Sequence, residues 1–321
     1  MTKYYFSAIF LIYSGFFQIL NAQLVLPTNN SVLNYIHVLF EWNQFPGADS
    51  YNIEISADSL FNNVIRTATV SSLIFIEKET INWDSKYYWR IRPIFENLLT
   101  SERSETYHFF TGQKRSESTV NIYDENNVSP GLTIFGSFYN YFSAIIDMNG
   151  KEVWNTGDKK IVYYNSSPAL DLLGCISDNS LEHNLPGVDF SIDTDFIWEE
   201  PNDQFLHHDL VKLPSGNYMG IVATSQLGPI PIGPWTSEYQ EFGFTANGFS
   251  NEFPWVGDKI VEWDKDTKEV IWSWSVFDHF SMEDFDAIGG TWLYNSTSNN
   301  GSFKYDWTHV NALIFSEQES A

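Results

Sequence analysis

The sequence lacks the features that stabilise disulfide-bonded domains or attract polyanions. Cys175 is the only cysteine, so no intrachain disulfide can form and the fold must be held together by packing. Basic residues are scarce: 17 Lys and Arg stand against 41 Asp and Glu, and the formal net charge is −24. Because such a surface repels phosphate groups, we expect neither nucleic acid nor an anionic membrane as a partner.

Long apolar runs are also absent, except at the N-terminus. Lys3 precedes an apolar stretch from Tyr4 to Leu20, and Ala22 supplies a small residue at a plausible cleavage site. This order is typical of a secretory signal peptide. We therefore predict that residues 1–22 direct export to the periplasm or the extracellular space. After their removal we expect no membrane-spanning segment.

Aromatic and β-branched residues are abundant. The chain is 17% aromatic, and short runs of Val, Ile, Tyr and Trp are separated by Gly, Asn, Asp and Ser. Such a composition predicts an all-β protein. Cys175 lies in the run Leu172–Ile176, where we expect it to be a small buried apolar residue rather than a catalytic thiol.

Residues 23–112 have the pattern of a β-sandwich. Strands are predicted around Trp42, over Tyr51–Ser56 and around Trp89, with a Pro-Gly-Ala-Asp-Ser turn after Phe45. These elements resemble a fibronectin type III domain of the bacterial kind, which implies a scaffold with Trp42 and Trp89 in its core. The polar residues 113–121 are predicted to be a linker to a second domain, residues 122–321.

Antiparallel hairpins recur along the second domain. Residues 144–154 and 259–274 each contain two alternating strands, and both second strands carry Lys-Glu-Val followed by Trp. Between them, the turn Leu213–Tyr218 connects two further strands. Hairpins that recur along the chain in this way indicate a β-propeller.

Two histidine-bearing segments predict a functional site. Residues 205–213 and 306–315 both read as strands, and aligning His207 on His309 also aligns Asp209 on Asn311. Blades of a propeller bring such strands to a common channel, where imidazoles can act as bases, nucleophiles or anion donors. Asp209 or Asn311 is a possible orienting partner. A metal site on His207, His208 and Asp209 is disfavoured, because adjacent residues point to opposite faces of a strand.

Five ordered segments of the second domain resemble the arylsulfate sulfotransferase family. They are residues 130–135, 145–154, 207–217, 257–264 and the Asp-Trp-x-His-x-Asn element at 306–311. The resemblance implies a six-bladed β-propeller and no cofactor. It also implies a reaction in which a channel histidine takes a sulfuryl group from an aryl sulfate and passes it to a phenol, while other histidines and an arginine stabilise the charge.

The resemblance also implies which residues form the site. His309 is one site histidine, and the strand with His207 and His208 supplies another; His207 is favoured by its alignment with His309, with His208 as the alternative. Asn311, Trp307 and Tyr305 are expected to bind substrate, and for the two aromatic residues core packing is the role that the sequence favours over lining an aryl pocket.

The family pattern extends further than this chain. The arginine-bearing segment and the sulfate-accepting histidine are expected beyond Ala321, and 122–321 is too short for six blades. We therefore expect this chain to be the N-terminal part of a longer protein and to be inactive alone.

Two alternatives to the transferase remain open. One is a non-catalytic secreted protein for binding or adhesion, and the other is a hydrolase or lyase acting on acidic glycans. The oligomeric state is also left open.

Overall fold

The computed structural model describes residues 23–96, 101–124, 126–167, 171–177, 185–201, 206–282 and 303–316. The predicted signal peptide, residues 1–22, lies outside the described residues. Among the described residues, no helix has both the length and the apolar character that a membrane span requires. The chain divides into two compact units, Met1–Gln113 and Lys114–Ala321.

The first unit contains a three-stranded and a five-stranded sheet, with strand orders β1-β3-β6 and β2-β8-β7-β4-β5. All pairings are antiparallel except that of β2 with β8. The strands are β1 (Leu24–Leu26), β2 (Ser31–Leu33), β3 (Val38–Trp42), β4 (Ser50–Ser56), β5 (Val64–Val70), β6 (Ile74–Glu77), β7 (Lys86–Ile94) and β8 (Tyr107–Thr111).

Aromatic side chains fill the space between these two sheets. Burial alternates along β3 and β7, as a strand with one face on a core requires. Phe40 of one sheet meets Trp89 of the other edge to face, with ring centroids 5.1 Å apart, and Trp42 meets Tyr51 at 5.5 Å. Trp42 and Trp89 are 1% and 0% exposed. The predicted sandwich and the core role of both tryptophans are confirmed.

The second unit contains three successive antiparallel sheets, with strand orders β11-β10-β9, β12-β13-β14-β15 and β16-β17-β18-β19. A short last strand, β20, pairs in parallel with β18. The elements are β9 (Thr133–Ser137), β10 (Phe142–Ile146), β11 (Glu152–Asn155), β12 (Ile161–Ser166), β13 (Leu172–Ile176), β14 (Gly187–Phe190), β15 (Phe196–Glu199), β16 (Leu206–Lys212), β17 (Tyr218–Gly228), α1 (Thr236–Glu241), β18 (Phe253–Trp263), β19 (Val270–Ser275), α2 (Val276–His279) and β20 (Tyr305–Asp306).

The hairpins predicted from the sequence are present. β10 pairs with β11, β16 with β17 and β18 with β19. The first of these turns closes where the Asp147 N–H donates to the Lys151 carbonyl at 2.9 Å, and Gly150 takes the left-handed conformation at φ +78°. The all-β prediction is confirmed, and within the described residues none of these sheets closes on itself.

The sheets of the second unit pack on one another through a shared core. Trp198 of β15 stacks on Tyr218 of β17 with centroids 4.0 Å apart, and both belong to a buried cluster that includes Cys175. Cys175 is fully buried, as predicted, and burial raises the pKa of its thiol to about 12. Gly136 lets β9 approach β12, because a Cβ there would lie 2.4 Å from the Tyr163 carbonyl oxygen.

Part of the predicted linker is attached to the second unit. The backbone N–H groups of Arg115 and Ser116 donate to the two carboxylate oxygens of Glu152, at 2.9 and 2.6 Å. Glu152 is 1% exposed, and Asn155 donates a further hydrogen bond to it at 2.6 Å. These donors provide the buried carboxylate with hydrogen bonds, so this contact holds residues 115–116 on strand β11.

Candidate functional site

His208 lies where strand β16 is irregular. The pairing of β16 with β17 shifts register between Leu206 and Leu210, and His208 has φ +64°. A non-glycine residue seldom takes this left-handed conformation, and such strain is concentrated at functional sites. Because of it, the half-buried His208 side chain does not follow the alternation that a regular strand imposes.

The second histidine lies in a segment that is not a strand beyond Asp306. The sequence predicted a strand over residues 306–315, and this prediction is wrong, because only Tyr305 and Asp306 pair with β18. Further along the segment, backbone N–H groups donate to side-chain carboxylates instead of to a neighbouring strand. The N–H of Val310 donates to Asp258 Oδ2 at 3.0 Å, and that of Leu313 to Asp209 Oδ2 at 2.9 Å.

These two irregular segments bring His208 and His309 together. Their Nε2 atoms lie 3.2 Å apart across 101 residues of sequence, and their ring centroids are 5.3 Å apart. This is hydrogen-bond distance, and a hydrogen bond between the rings requires one Nε2 to donate and the other to accept. The Phe138 ring lies edge-on to His208, with centroids 6.4 Å apart.

Asp306 orients His309. Its Oδ2 lies 3.0 Å from His309 Nδ1, and both side chains are about half exposed, at 41% and 50%. A carboxylate accepts only, so the proton of that contact belongs to Nδ1. The other ring nitrogen, Nε2, is therefore the one that faces His208.

The environment of His208 favours its neutral form. Burial lowers the pKa of His208 and the neighbouring His309 lowers it further, whereas the carboxylate of Asp258 opposes both effects. A neutral imidazole at this position carries one N–H and one lone pair. It can therefore donate to an anion or accept a proton.

Asp209 connects β16 to the segment that carries His309. Its Oδ1 accepts the N–H of Leu210 at 3.0 Å and a side-chain hydrogen bond from Asn165, while Oδ2 accepts that of Leu313. Burial raises the pKa of Asp209, although these donors act in the opposite direction. These contacts bind two backbone N–H groups and the side-chain amide of Asn165. They do not give Asp209 the predicted role of orienting an imidazole.

A groove of about 990 Å³ lies beside Asp209. Its walls are mostly apolar and come from β13, β16 and the terminal segment: Leu173, Val211, Leu213, Leu313 and Phe315. Lys212 also lines the groove, but its ammonium is paired with Asp171 at 3.2 Å and Asp189 at 3.0 Å. Asp209, which directly follows His208 in the chain, lines the groove, whereas His208 and His309 do not.

The other predicted site residues have these positions. The side chain of His207 lies outside the described residues, so the preference for it over His208 stays a prediction. The amide of Asn311 donates to the His309 carbonyl at 3.2 Å. Tyr305 is 3% exposed and packs edge to face on Trp255, as does the half-buried Trp307, with centroids 4.9 and 5.1 Å apart. Core packing, the alternative to substrate binding, is the role that these contacts support for the two aromatic residues.

Sequence reasoning missed two carboxylates of the site. Asp306 precedes His309 by three residues, and it stands inside the Asp-Trp-x-His-x-Asn element. That spacing was the available signal, but the assumed strand put Asp306 and His309 on opposite faces. Asp258 gave no signal, because it is near His309 only in the folded chain. Among the described residues, no group of three His, Cys, Asp or Glu side chains has the arrangement of a metal site.

Comparisons with known proteins give structural neighbours only. No family model matches the chain, and no curated protein matches it. One solved structure that it resembles is an Fn3-like protein from Clostridium thermocellum. The two chains are 22% identical, and the match covers 27% of this chain and 92% of that one with a TM-score of 0.23. Another is an α-L-rhamnosidase from Dictyoglumus thermophilum, 10% identical, covering 77% of this chain and 28% of that one with a TM-score of 0.24.

Proposed function

We propose that this protein is an arylsulfate sulfotransferase, which moves a sulfuryl group from an aryl sulfate to a phenol. The observation that carries the proposal is the approach of His208 Nε2 to within 3.2 Å of His309 Nε2. It supports the proposal because two imidazoles from distant parts of the chain meet at one point. A sulfuryl group carries its charge on three oxygens. In the proposal it replaces the contact between the two rings, and imidazole N–H groups then stabilise that charge during transfer.

The proposed reaction has two steps. The sulfate-accepting histidine, which the family resemblance puts further along the chain than His309, attacks sulfur through a ring nitrogen. An N–S bond forms, the bond from sulfur to the aryl oxygen breaks, and a phenoxide leaves. The oxygen of the acceptor phenol then attacks sulfur, its proton passes to a base, and the N–S bond breaks to restore the imidazole. In this proposal His208 and His309 hold the sulfuryl oxygens, the role that the family resemblance implies for site histidines.

The negative charge of the protein does not prevent an anion from binding at this point. Asp306 is paired with His309, while the carboxylates of Asp258 and Asp209 accept backbone N–H groups. Their charges are thus partly compensated by donors within the site. The apolar groove beside Asp209 is where we place an aryl group, because aromatic rings gain free energy by leaving water.

The test uses the full-length protein with 4-nitrophenyl sulfate, with and without a phenol. We expect release of nitrophenolate that depends on the phenol, together with binding of the aryl sulfate measured by calorimetry. Both should be lost in His208→Ala and in His309→Ala. His108→Ala is the matched control, because that side chain contacts Asn30 in the first unit at 3.2 Å.

Three outcomes would contradict the proposal. Release with water alone would indicate a sulfatase. Release or binding that survives both substitutions would place the site elsewhere. Neither release nor binding would favour the secreted binding or adhesion protein.

A further inference from the structure

Asp258 of β18 lies beneath the segment that carries His309. Its backbone N–H donates to Thr308 Oγ1 at 3.0 Å, and its Oδ2 accepts the N–H of Val310 at 3.0 Å. Thr308 and Val310 are the two neighbours of His309, so one residue binds the chain on both sides of the histidine. Asp258 is only 4% exposed, which shields both hydrogen bonds from competing water.

The backbone around Asp258 allows this close approach. A Cβ on Gly257 would lie 3.2 Å from Thr308 Oγ1 and 2.5 Å from a methyl group of Val276, so only glycine leaves room for the segment. The Trp307 N–H donates to the Val256 carbonyl at 2.8 Å, which is the last backbone contact before the chain leaves β18. From that point the segment is held by Asp258, not by strand pairing.

The same carboxylate acts on the other histidine of the pair. Burial lowers the pKa of His208, His309 lowers it further, and Asp258 opposes them by its negative charge. Asp258 is therefore close enough to the His208 imidazole to influence its pKa. Its action on His309 passes through the flanking backbone, since it binds Thr308 and Val310.

We propose that Asp258 is the positioning residue of the histidine pair: by binding Thr308 and Val310 it holds His309 with Nε2 facing His208. This role differs from that of Asp306, which contacts the ring itself. The importance of Asp258 for sulfuryl transfer rests on the proposed function, whereas the positioning does not. Small displacements of reacting groups lower rates strongly, so a residue that fixes their geometry matters for the rate.

The test is a double-mutant cycle read by histidine NMR. In the native protein, His309→Ala should raise the pKa of His208, because His309 is one of the causes that lower it. In the Asp258→Ala background the same substitution should leave the pKa of His208 unchanged, since the two rings no longer face each other. Asp258→Asn retains an oxygen acceptor for Val310 and should retain the shift. A full His309-dependent shift in Asp258→Ala would overturn the proposal.

Thr308→Val provides a second variant of nearly the same shape, for the case in which Asp258→Ala does not fold by circular dichroism. It removes the acceptor for the Asp258 N–H, so we expect the His309-dependent shift to become smaller. An unchanged shift in folded Thr308→Val would contradict the proposal. Turnover is the separate readout: kcat/KM for the aryl sulfate should fall on the order of 10²-fold in Asp258→Ala and recover in Asp258→Asn. If the NMR cycle behaves as expected but no variant or native protein turns over an aryl sulfate, the proposed function fails while the positioning role stands.

Discussion

The carboxylate of Asp306 lies 3.0 Å from Nδ1 of His309, three residues further along the chain. In a regular strand, residues three apart point to opposite faces, so this contact requires the chain to leave β18 directly after Asp306. The departure from strand geometry is thus what lets a carboxylate orient the imidazole. It also turns the other ring nitrogen toward His208.

Replacing Asp306 by Asn should weaken this orientation. An amide carries no negative charge, so the Nδ1–H tautomer of His309 loses its preference, and turnover should fall on the order of 10²-fold. Nitrogen NMR shifts of the His309 ring report the tautomer directly. Asp266→Asn, in an exposed turn, is the control and should change neither quantity. An unchanged tautomer population in Asp306→Asn would refute the orienting role.

Asp209→Asn should change how stability depends on pH. Burial raises the pKa of Asp209 above that of an unfolded aspartate, about 3.9. The folded state therefore binds the Asp209 proton more tightly than the unfolded state does. The stabilisation that this binding provides is complete below about pH 3.9, and it is lost as the pH rises through the raised pKa of folded Asp209. Asn does not titrate, so native stability should decline relative to Asp209→Asn as the pH rises from about 4 to 7.

Urea unfolding of both proteins at several pH values measures this difference. The Asn variant also loses an acceptor for Leu313, but that loss adds an offset that does not vary with pH. A constant difference in the free energy of unfolding across the range would show that Asp209 does not titrate as its burial indicates.

Lys212→Met should destabilise the second unit. Asp189 is 0% exposed, and its Oδ2 accepts hydrogen bonds from Lys212 at 3.0 Å and from the Tyr218 hydroxyl at 2.7 Å. Removing one partner of a buried ion pair leaves a buried charge, which costs about 3–5 kcal/mol. Denaturant titration measures the loss, and Lys212→Met/Asp189→Asn should recover most of it. If the double variant is as unstable as the single one, the cause is lost packing rather than the unpaired carboxylate.

Gly136→Ala tests the approach of β9 to β12. The added methyl group would lie 2.4 Å from the Tyr163 carbonyl oxygen and 2.7 Å from its backbone nitrogen, and backbone cannot move aside as a flexible side chain can. We expect a loss of about 1–3 kcal/mol in the free energy of unfolding. Gly131→Ala is the matched control, because nothing lies within 4 Å of a Cβ there. Equal effects of the two substitutions would contradict this account.

Much of the fold could be predicted from local patterns. The hairpin of β10 and β11 and the hairpin of β18 and β19 follow from alternating apolar residues around a turn, and neither depends on distant contacts. The burial of Trp42 and Trp89 followed from the resemblance to a fibronectin type III domain. The strand predicted over residues 306–315 failed because alternation does not reveal whether a neighbouring strand is available for pairing.

The candidate site was predictable in its residue types but not in its geometry. The repeated histidine segments indicated that His309 and a histidine near position 207 would meet, and His208 does lie against His309. The His208 backbone takes the left-handed conformation, and no sequence pattern signals that conformation. The same holds for Asp258, which stands 52 residues before Val310.

By itself, then, the order of amino acids determined the all-β class, the hairpins and the presence of two histidine segments, because period-2 alternation and turn residues act over a few neighbours. Only the tertiary structure decided that His208 faces His309, that Asp306 orients the ring, and that Asp258 and Asp209 replace a strand partner for the terminal segment. The reason is physical. These contacts join side chains and backbone groups that become neighbours only when separate sheets pack together.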